Sequence, residues 1–206
     1  GTSGDDVLVG SNGADAINGL GGHELICGRD GADTINPGPG NDTVYGGDGN
    51  DSMADGANDN GNDTYYGGPG NDAIYDLVVV GANIAYGGPG SDGIKVTGKA
   101  YGESGDDPVV AAQETSPGAH DAYASGGSGS DGATTGVYVA GGIADGGSGN
   151  DRVQGLLDGD KMVGGSGSDV LESLGPNQTL DCGSGYDTYT ADVADSVLPN
   201  CEQAAP

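Results

Sequence analysis

The 206-residue chain has no Phe and no Trp, and only 33% of its residues are hydrophobic. That is too little large apolar material for an ordinary globular core of this length. Cations are nearly missing: 5 Lys plus Arg stand against 32 Asp plus Glu, a net charge of −27. So acidic a chain does not hold nucleic acid or an anionic membrane surface by charge attraction. No apolar run approaches the roughly 18 residues of a membrane-spanning helix. No GxSxG serine elbow is present, and His23 and His120 have no convincing partner set. Gly93–Ala100, GIKVTGKA, is one residue short of a phosphate loop and ends in Ala where a Mg²⁺-holding Ser or Thr would stand. We therefore expect no catalysis. The chain opens without a basic and then apolar leader, which implies a removed signal or a trimmed start.

What abounds is Gly: 46 residues, with 9 Pro, or about 27% of the chain together. Composition alone would suggest disorder, but the order along the chain is periodic. The first 54 residues divide into GTSGDDVLV, GSNGADAIN, GLGGHELIC, GRDGADTIN, PGPGNDTVY and GGDGNDSMA. Each block of nine has Gly fourth, an acid sixth and an apolar residue eighth. Looser copies start at Asn58, Gly67, Gly87, Gly102, Gly126, Gly146, Gly164 and Cys182, giving 14 in all.

These blocks resemble the RTX, or haemolysin-type, calcium-binding repeat GGxGxDxUx, where U is a large apolar residue. The resemblance covers about residues 1 to 190. It implies an all-β, right-handed parallel β-roll, in which GGxGxD forms a turn, xUx a short strand, and Ca²⁺ lies between stacked turns. Elementary physics agrees. A three-residue strand needs neighbours above and below it. Glycine permits the positive φ that lets carbonyls converge, and Ca²⁺ takes six to eight oxygen donors. The third turn position is Pro39, Pro69 and Pro89 in three copies, so its N–H is not needed.

Two blocks make one coil, so motifs 18 apart share an edge. One edge is expected to carry motifs throughout, starting at 10, 28, 46, 67, 87, 102, 126, 146, 164 and 182. The other carries them only at 1, 19, 37 and 58, and continues as metal-free connectors, the longest within Ala111–Ser125. The chain then reads as residues 1–75 with calcium turns on both edges, 76–190 with them mainly on one, and a cap at 191–206.

Two facing core columns follow from this register, over about ten coils and roughly 45–50 Å. One is Leu8, Ile26, Val44, Tyr65, Ala85, Ala100, Ala124, Ala144, Met162 and Leu180. The other is Ile17, Ile35, Met53, Ile74, Ile94, Val109, Ala133, Val153, Leu171 and Tyr189. Packing should be weakest around Ala124 and Ala133.

The expected metal ligands are the sixth-position acids: Asp6, Asp15, Asp33, Asp42, Asp51, Asp63, Asp72, Asp92, Asp107, Asp131, Asp151, Asp169 and Asp187. Glu24 replaces Asp in its block, and its extra methylene departs from a normal site. Gaps between turns number nine on one edge and three on the other, so about 12 Ca²⁺ would bring roughly +24 against the −27. Without metal the stacked carboxylates repel, and we expect the chain to fold only on Ca²⁺.

The segment CGSGYDTYTADVADSVLPNCE resembles the C-terminal end of secreted actinobacterial repeat proteins of this kind. It implies a Cys182–Cys201 disulfide stapling a cap over the last coil. Cys27 has no Cys in line and is a free thiol or an intermolecular link. Calcium dependence and the disulfide together imply a secreted, extracellular protein.

Tyr45, Tyr66, Tyr86 and Tyr101 fall on adjacent coils and should form an outward ladder. It serves either packing or binding of a carbohydrate, a cell surface or a second copy. A structural or adhesive role, with possible self-assembly, fits such a calcium-hardened rod. The alternatives are a secretion or folding module beside an enzyme, or an ice-binding face. The seventh-position row, Ala16, Thr34, Ser52, Ala73, Gly93, Pro108, Gly132, Arg152, Val170 and Thr188, is too irregular to favour ice.

Overall fold

The computed structural model describes residues 1–56, 61–76, 82–112, 122–135 and 141–201. His120, the motif start at Asn58, residues 113–121 of the expected connector and residues 202–206 of the expected cap lie outside the described residues. The described chain is a parallel β-solenoid without helix. Short strands, most of three to seven residues, alternate between two faces, so each coil contributes one rung to each.

The first face contains Val7–Val9, Leu25–Asp30, Thr43–Asp48, Thr64–Tyr66, Asn83–Pro89, Tyr123–Ser128, Ile143–Ser148, Lys161–Gly167 and Thr179–Asp181. The second contains Ala16–Asn18, Thr34–Asn36, Ser52–Ala54, Ala73–Asp76, Pro108–Ala112, Gly132–Thr135, Arg152–Gly155, Val170–Ser173 and Thr188–Thr190. Gly93–Ser104 serves both. Its first residues pair within the second face and its last within the first, and the chain turns the corner at Gly98, where φ is +122°. Nine parallel pairings therefore join ten rungs on the second face.

The register is the expected one throughout. Leu8 pairs with Ile26, Ile26 with Val44, and so on to Met162 with Leu180. Ile17 pairs with Ile35, and that column runs to Leu171 with Tyr189. All these side chains are buried except Leu8, Ile17 and Tyr189 at the ends, which are partly covered. Period-two alternation explains this: in each xUx strand only the middle side chain points inward.

In the Ala124 and Ala133 region, Ala111–Ala112 and Tyr123–Ser125 belong to strands, which bound the expected connector within Ala111–Ser125. Longer strands there also add inward residues, and Val96, Ala111, Ala112 and Ala122 are fully buried. Polar groups enter the core as a bonded set: the Tyr65 hydroxyl donates to Asp76 Oδ2 at 2.9 Å, and Asn83 Nδ2 donates to the same oxygen at 2.8 Å.

At the C-terminal end, Ser196–Val197 adds a parallel rung to Thr179–Asp181, and Leu198 N–H donates to the Leu180 carbonyl at 3.0 Å. The Cys182–Cys201 disulfide holds this cap, with Cα atoms 5.0 Å apart and Cys182 fully buried. The cap covers the edge of the first face over Leu180, as expected of a stapled end. Along the outside of that face Tyr45, Tyr66, Tyr86 and Tyr101 stack with ring centroids 4.7, 5.2 and 5.0 Å apart.

Candidate metal centres

Each turn is explained by its glycines. In Gly46–Asp51, the Gly47 N–H donates to the Gly67 carbonyl at 3.0 Å and the Gly49 N–H to the Pro69 carbonyl at 2.8 Å. The third position therefore works through its carbonyl, which is why Pro fits there. Gly47 and Gly49 have φ of +116° and +141°, a conformation that side chains disfavour. Gly46 is needed for a different reason. A side chain on it would strike Asp51 Oδ2 and the Gly67 carbonyl of the next coil. The same convergence of carboxylate oxygen and next-coil carbonyl occurs at Gly28, Gly67, Gly87, Gly102, Gly126, Gly146 and Gly164.

The acids form a ladder along the long edge. From Asp15 to Asp169, each backbone N–H donates to Oδ1 of the aspartate one coil on, nine bonds of 2.7–3.0 Å. The second oxygen is left over. Oδ2 of Asp33, Asp51, Asp72, Asp92, Asp107, Asp131, Asp151, Asp169 and Asp187 is buried with no hydrogen-bond partner. Asp15 is the exception, because its Oδ2 accepts from Ser11 N–H at 2.5 Å and from the Ser11 hydroxyl at 2.9 Å.

Titration follows this division. Hydrogen bonds from Ser11 hold Asp15 below the ordinary carboxylate range, and those from Thr2 do the same for Asp6. Burial, aided by neighbouring carboxylates, pushes Asp72, Asp131, Asp151 and Asp169 up to about 6 and Asp92 to about 7. Asp51 and Asp107 are raised as well, again mainly by burial. Buried anionic oxygens without donors are costly unless a cation meets them. Here the oxygens recur at each rung beside backbone carbonyls. A donor set of hard oxygens suits Ca²⁺ and offers nothing to a metal that prefers nitrogen or sulfur.

The short edge has a different column. Pairing places Asp6, Glu24, Asp42, Asp63, Asn83, Gly98, Ala122, Gly142, Asp160, Gln178 and Asp195 at equivalent heights. From Glu24 the ladder runs as on the long edge: Glu24 N–H donates to Asp42 at 2.7 Å, Asp42 to Asp63 at 2.7 Å, and Asp63 to Asn83 Oδ1 at 2.8 Å. It lapses at Gly98 and Ala122 and then returns. Asp160 is fully buried; its Oδ1 accepts from Gly141 and Gly142 and its Oδ2 from Leu157, at 2.8–3.1 Å. Asp195 Oδ1 accepts from Gln178 N–H at 2.9 Å, and its Oδ2 from Asp192 N–H at 2.8 Å. Burial opposes ionisation of Asp195, but hydrogen bonds from Ser173, Asp192 and Gln178 keep it below the usual value.

Sequence reading missed Asp160, Asp195, Asp55 and Asp76. A signal for Asp160 exists: Gly155–Val163, GLLDGDKMV, keeps Gly first, an acid sixth and an apolar residue eighth, with the inner Gly moved by one place. Asp55 and Asp76 carry no repeat signal, yet their carboxylates converge with that of Asp63, the three within 4.8 Å of one another.

A second ladder, also missed, runs through the fifth positions with opposite polarity. Asn71 N–H donates to Asn50 Oδ1, Ser91 to Asn71, Ser130 to Asp106 and Ser168 to Asn150, at 2.8–2.9 Å. On the short edge His23 takes part: its N–H donates to Asp5 and its Nδ1 accepts from Asn41 N–H, each at 2.9 Å. His23 is thus a rung of the ladder. Cys27 pairs with Val9 and Tyr45 and is a free, half-buried thiol. The tyrosine ladder also extends further than expected, since Tyr123 tilts against Tyr101 with centroids 5.4 Å apart.

The model of the RTX calcium-binding nonapeptide repeat, which spans four copies, matches residues 1–35, 28–58, 37–74 and 143–173. These segments cover the regular coils of the N-terminal part and a stretch of the C-terminal part from Ile143 to Ser173. No curated protein matches the chain. The matched segments take in half of the sequence and coincide with the turns whose carboxylates stand in register, so the chain belongs to the RTX calcium-binding nonapeptide repeat family.

Proposed function

We propose that the chain is an extracellular β-roll that Ca²⁺ assembles, with a structural or adhesive role and no catalytic one. The observation that carries this reading is the row of nine buried Oδ2 atoms without a donor on the long edge. The ligands would be Asp15, Asp33, Asp51, Asp72, Asp92, Asp107, Asp131, Asp151, Asp169 and Asp187 on that edge, and Asp6, Glu24, Asp42 and Asp63 on the other. Nine long-edge gaps and three short-edge gaps give about 12 ions, whose charge of roughly +24 nearly cancels the net −27. Ca²⁺ supplies positive charge between rungs; the chain's own glycines hold the carbonyls and carboxylates at one height. An extracellular setting is supported by the disulfide, which persists where thiols are not kept reduced. The adhesive reading is supported by the half-exposed tyrosine stack, a rigid amphipathic strip suited to a carbohydrate or a protein surface.

Circular dichroism and bound-metal analysis test the assembly together. The expected result is a β spectrum in Ca²⁺ that is lost in excess chelator, with about 12 ions bound per folded chain. An unchanged spectrum in chelator would refute the reading. For the surface role, replacing Tyr66 and Tyr86 by Ser should weaken attachment to polysaccharide-coated or cell surfaces while leaving the calcium-loaded spectrum intact.

A further inference from the structure

Glu24 differs from every aspartate of the two columns. It is 3% exposed, and both of its carboxylate oxygens are buried without a hydrogen-bond partner. On the long edge from Asp33 onward only one oxygen of each aspartate is left over, because Oδ1 accepts the N–H of the preceding coil. That bond is missing here: Glu24 accepts nothing from Asp6 N–H, although its own N–H donates normally to Asp42.

The extra methylene explains the change. At Gly28 or Gly46, an added side chain would strike the carboxylate oxygen of the turn's own aspartate. At Gly19, the equivalent glycine, it would meet Glu24 Cγ at 3.0 Å and the Pro37 carbonyl. The methylene thus occupies the place where an aspartate puts its oxygen, and the carboxylate is carried on towards the first turn. A methyl group on Gly22 would lie 2.7 Å from Glu24 Oε1, 2.5 Å from the Gly4 carbonyl carbon and 2.7 Å from the Asp5 nitrogen. Glycine at position 22 keeps that space open in front of the carboxylate.

We propose that Glu24 forms a metal site of its own kind, in which both carboxylate oxygens grip one Ca²⁺ between the first and second short-edge turns. It rests on the calcium reading above. A carboxylate that chelates through two oxygens suits the large, flexible coordination shell of Ca²⁺ and not the compact octahedron of Mg²⁺. This gap should therefore discriminate between the two ions more strongly than the aspartate gaps, where one oxygen per residue is available.

Native mass spectrometry of the full chain at saturating Ca²⁺, with Mg²⁺ as competitor, tests the proposal, alongside a crystal structure grown in Ca²⁺. Glu24→Gln should bind one ion fewer than the wild type, with the dichroism spectrum in Ca²⁺ retained, because the change lies in the outermost short-edge coils. Glu24→Asp should restore the ion count but lose Ca²⁺ from this gap at lower Mg²⁺. In the crystal both Oε atoms should contact the same ion. An unchanged ion count in Glu24→Gln, or one Glu24 oxygen bonded to Asp6 N–H with only the other on the ion, would overturn the proposal and leave the calcium reading standing. A wild-type chain that takes up no Ca²⁺ would overturn both.

Discussion

Along the long edge the sixth position is Asp at ten successive turns, and nine of them bury an oxygen that no donor meets. Along the short edge the same height is held by acids for four coils, then by Asn83, Gly98, Ala122 and Gly142, and then by Asp160, Gln178 and Asp195. The returning acids are not like the first ones. Three backbone N–H groups surround Asp160, so its charge is met by the chain itself. One edge has carboxylates that require an external cation, and the other closes part of its length with carboxylates that do not. The difference lies in the turn. GGxG loops aim carbonyls at the acid, which adds negative potential, whereas Asp160 meets one amide of its own GLLDGD loop and two, Gly141 and Gly142, of the preceding coil.

The largest expected effect comes from removing the cation altogether. In chelator the long edge should fail as a whole, and acidification should partly rescue it. Asp72, Asp131, Asp151 and Asp169 sit near 6 and Asp92 near 7 in the folded chain, above the ordinary value of 3.8. The folded state then binds protons more tightly than the unfolded state. Its stabilising contribution is fully present below about pH 4 and is lost as pH rises through about 6 to 7. Asp6, Asp15 and Asp195 act in the opposite sense, but only below the ordinary carboxylate range. A chelated sample should therefore gain β signal between pH 8 and pH 5, and Ca²⁺ affinity should fall over the same interval. A chelated chain that loses structure on mild acidification would contradict the burial of these acids.

Single substitutions sharpen the contrast. Asp92→Asn keeps an oxygen for the Asp72 N–H but removes the one facing the gap. With free Ca²⁺ about 1,000 times the dissociation constant, it should lose about 4 kcal/mol, seen as a lower thermal midpoint, and the loss should shrink as free Ca²⁺ is lowered. Asp160→Asn on the other edge should cost about 1–3 kcal/mol at every Ca²⁺ concentration that keeps the chain folded, because an amide NH₂ would be turned against N–H donors. Equal calcium dependence in the two variants would erase the distinction between the edges.

The smallest effect concerns the second turn position. Arg29 and Glu103 hold φ of +84° and +76°, where other copies have Gly. Arg29→Gly and Glu103→Gly should each raise stability by about 0.5–1 kcal/mol in urea melts at saturating Ca²⁺. Leu20, at +83° on the short edge, provides the matched control for which edge carries the folding load.

Much of the architecture was legible because a repeat reports its own geometry. Spacing of 9 and 18 sets which turns stack, and the alternation around Ile35 or Val109 sets which side chains face inward, since a shift by one residue would turn every strand inside out. Cys182 and Cys201 were legible through resemblance to a known kind of cap. What escaped did so for local reasons. Asp160 was hidden by a glycine displaced by one place. Asp55 and Asp76 stand at the ends of second-face strands whereas Asp63 precedes a first-face strand, and no repeat spacing joins them. The fifth-position ladder was overlooked because Asn, Ser, Asp and His share little chemistry except an acceptor atom that can reach the next coil's amide.

The order of residues by itself determined the coil, the inward columns and the row of acids, because each is set by a short period that every copy repeats. Which carboxylates keep an oxygen unmet was decided only in three dimensions. Ser11 and Thr2 satisfy the acids of the outermost turns, three amides satisfy Asp160, and the added methylene of Glu24 moves its carboxylate away from its rung. Ser11, Thr2 and Leu157 act from within the acid's own turn, but the Gly141 and Gly142 amides reach Asp160 across 18 to 19 residues, and the long-edge Oδ1 bonds span 15 to 24. That reach exists only once the coils are stacked.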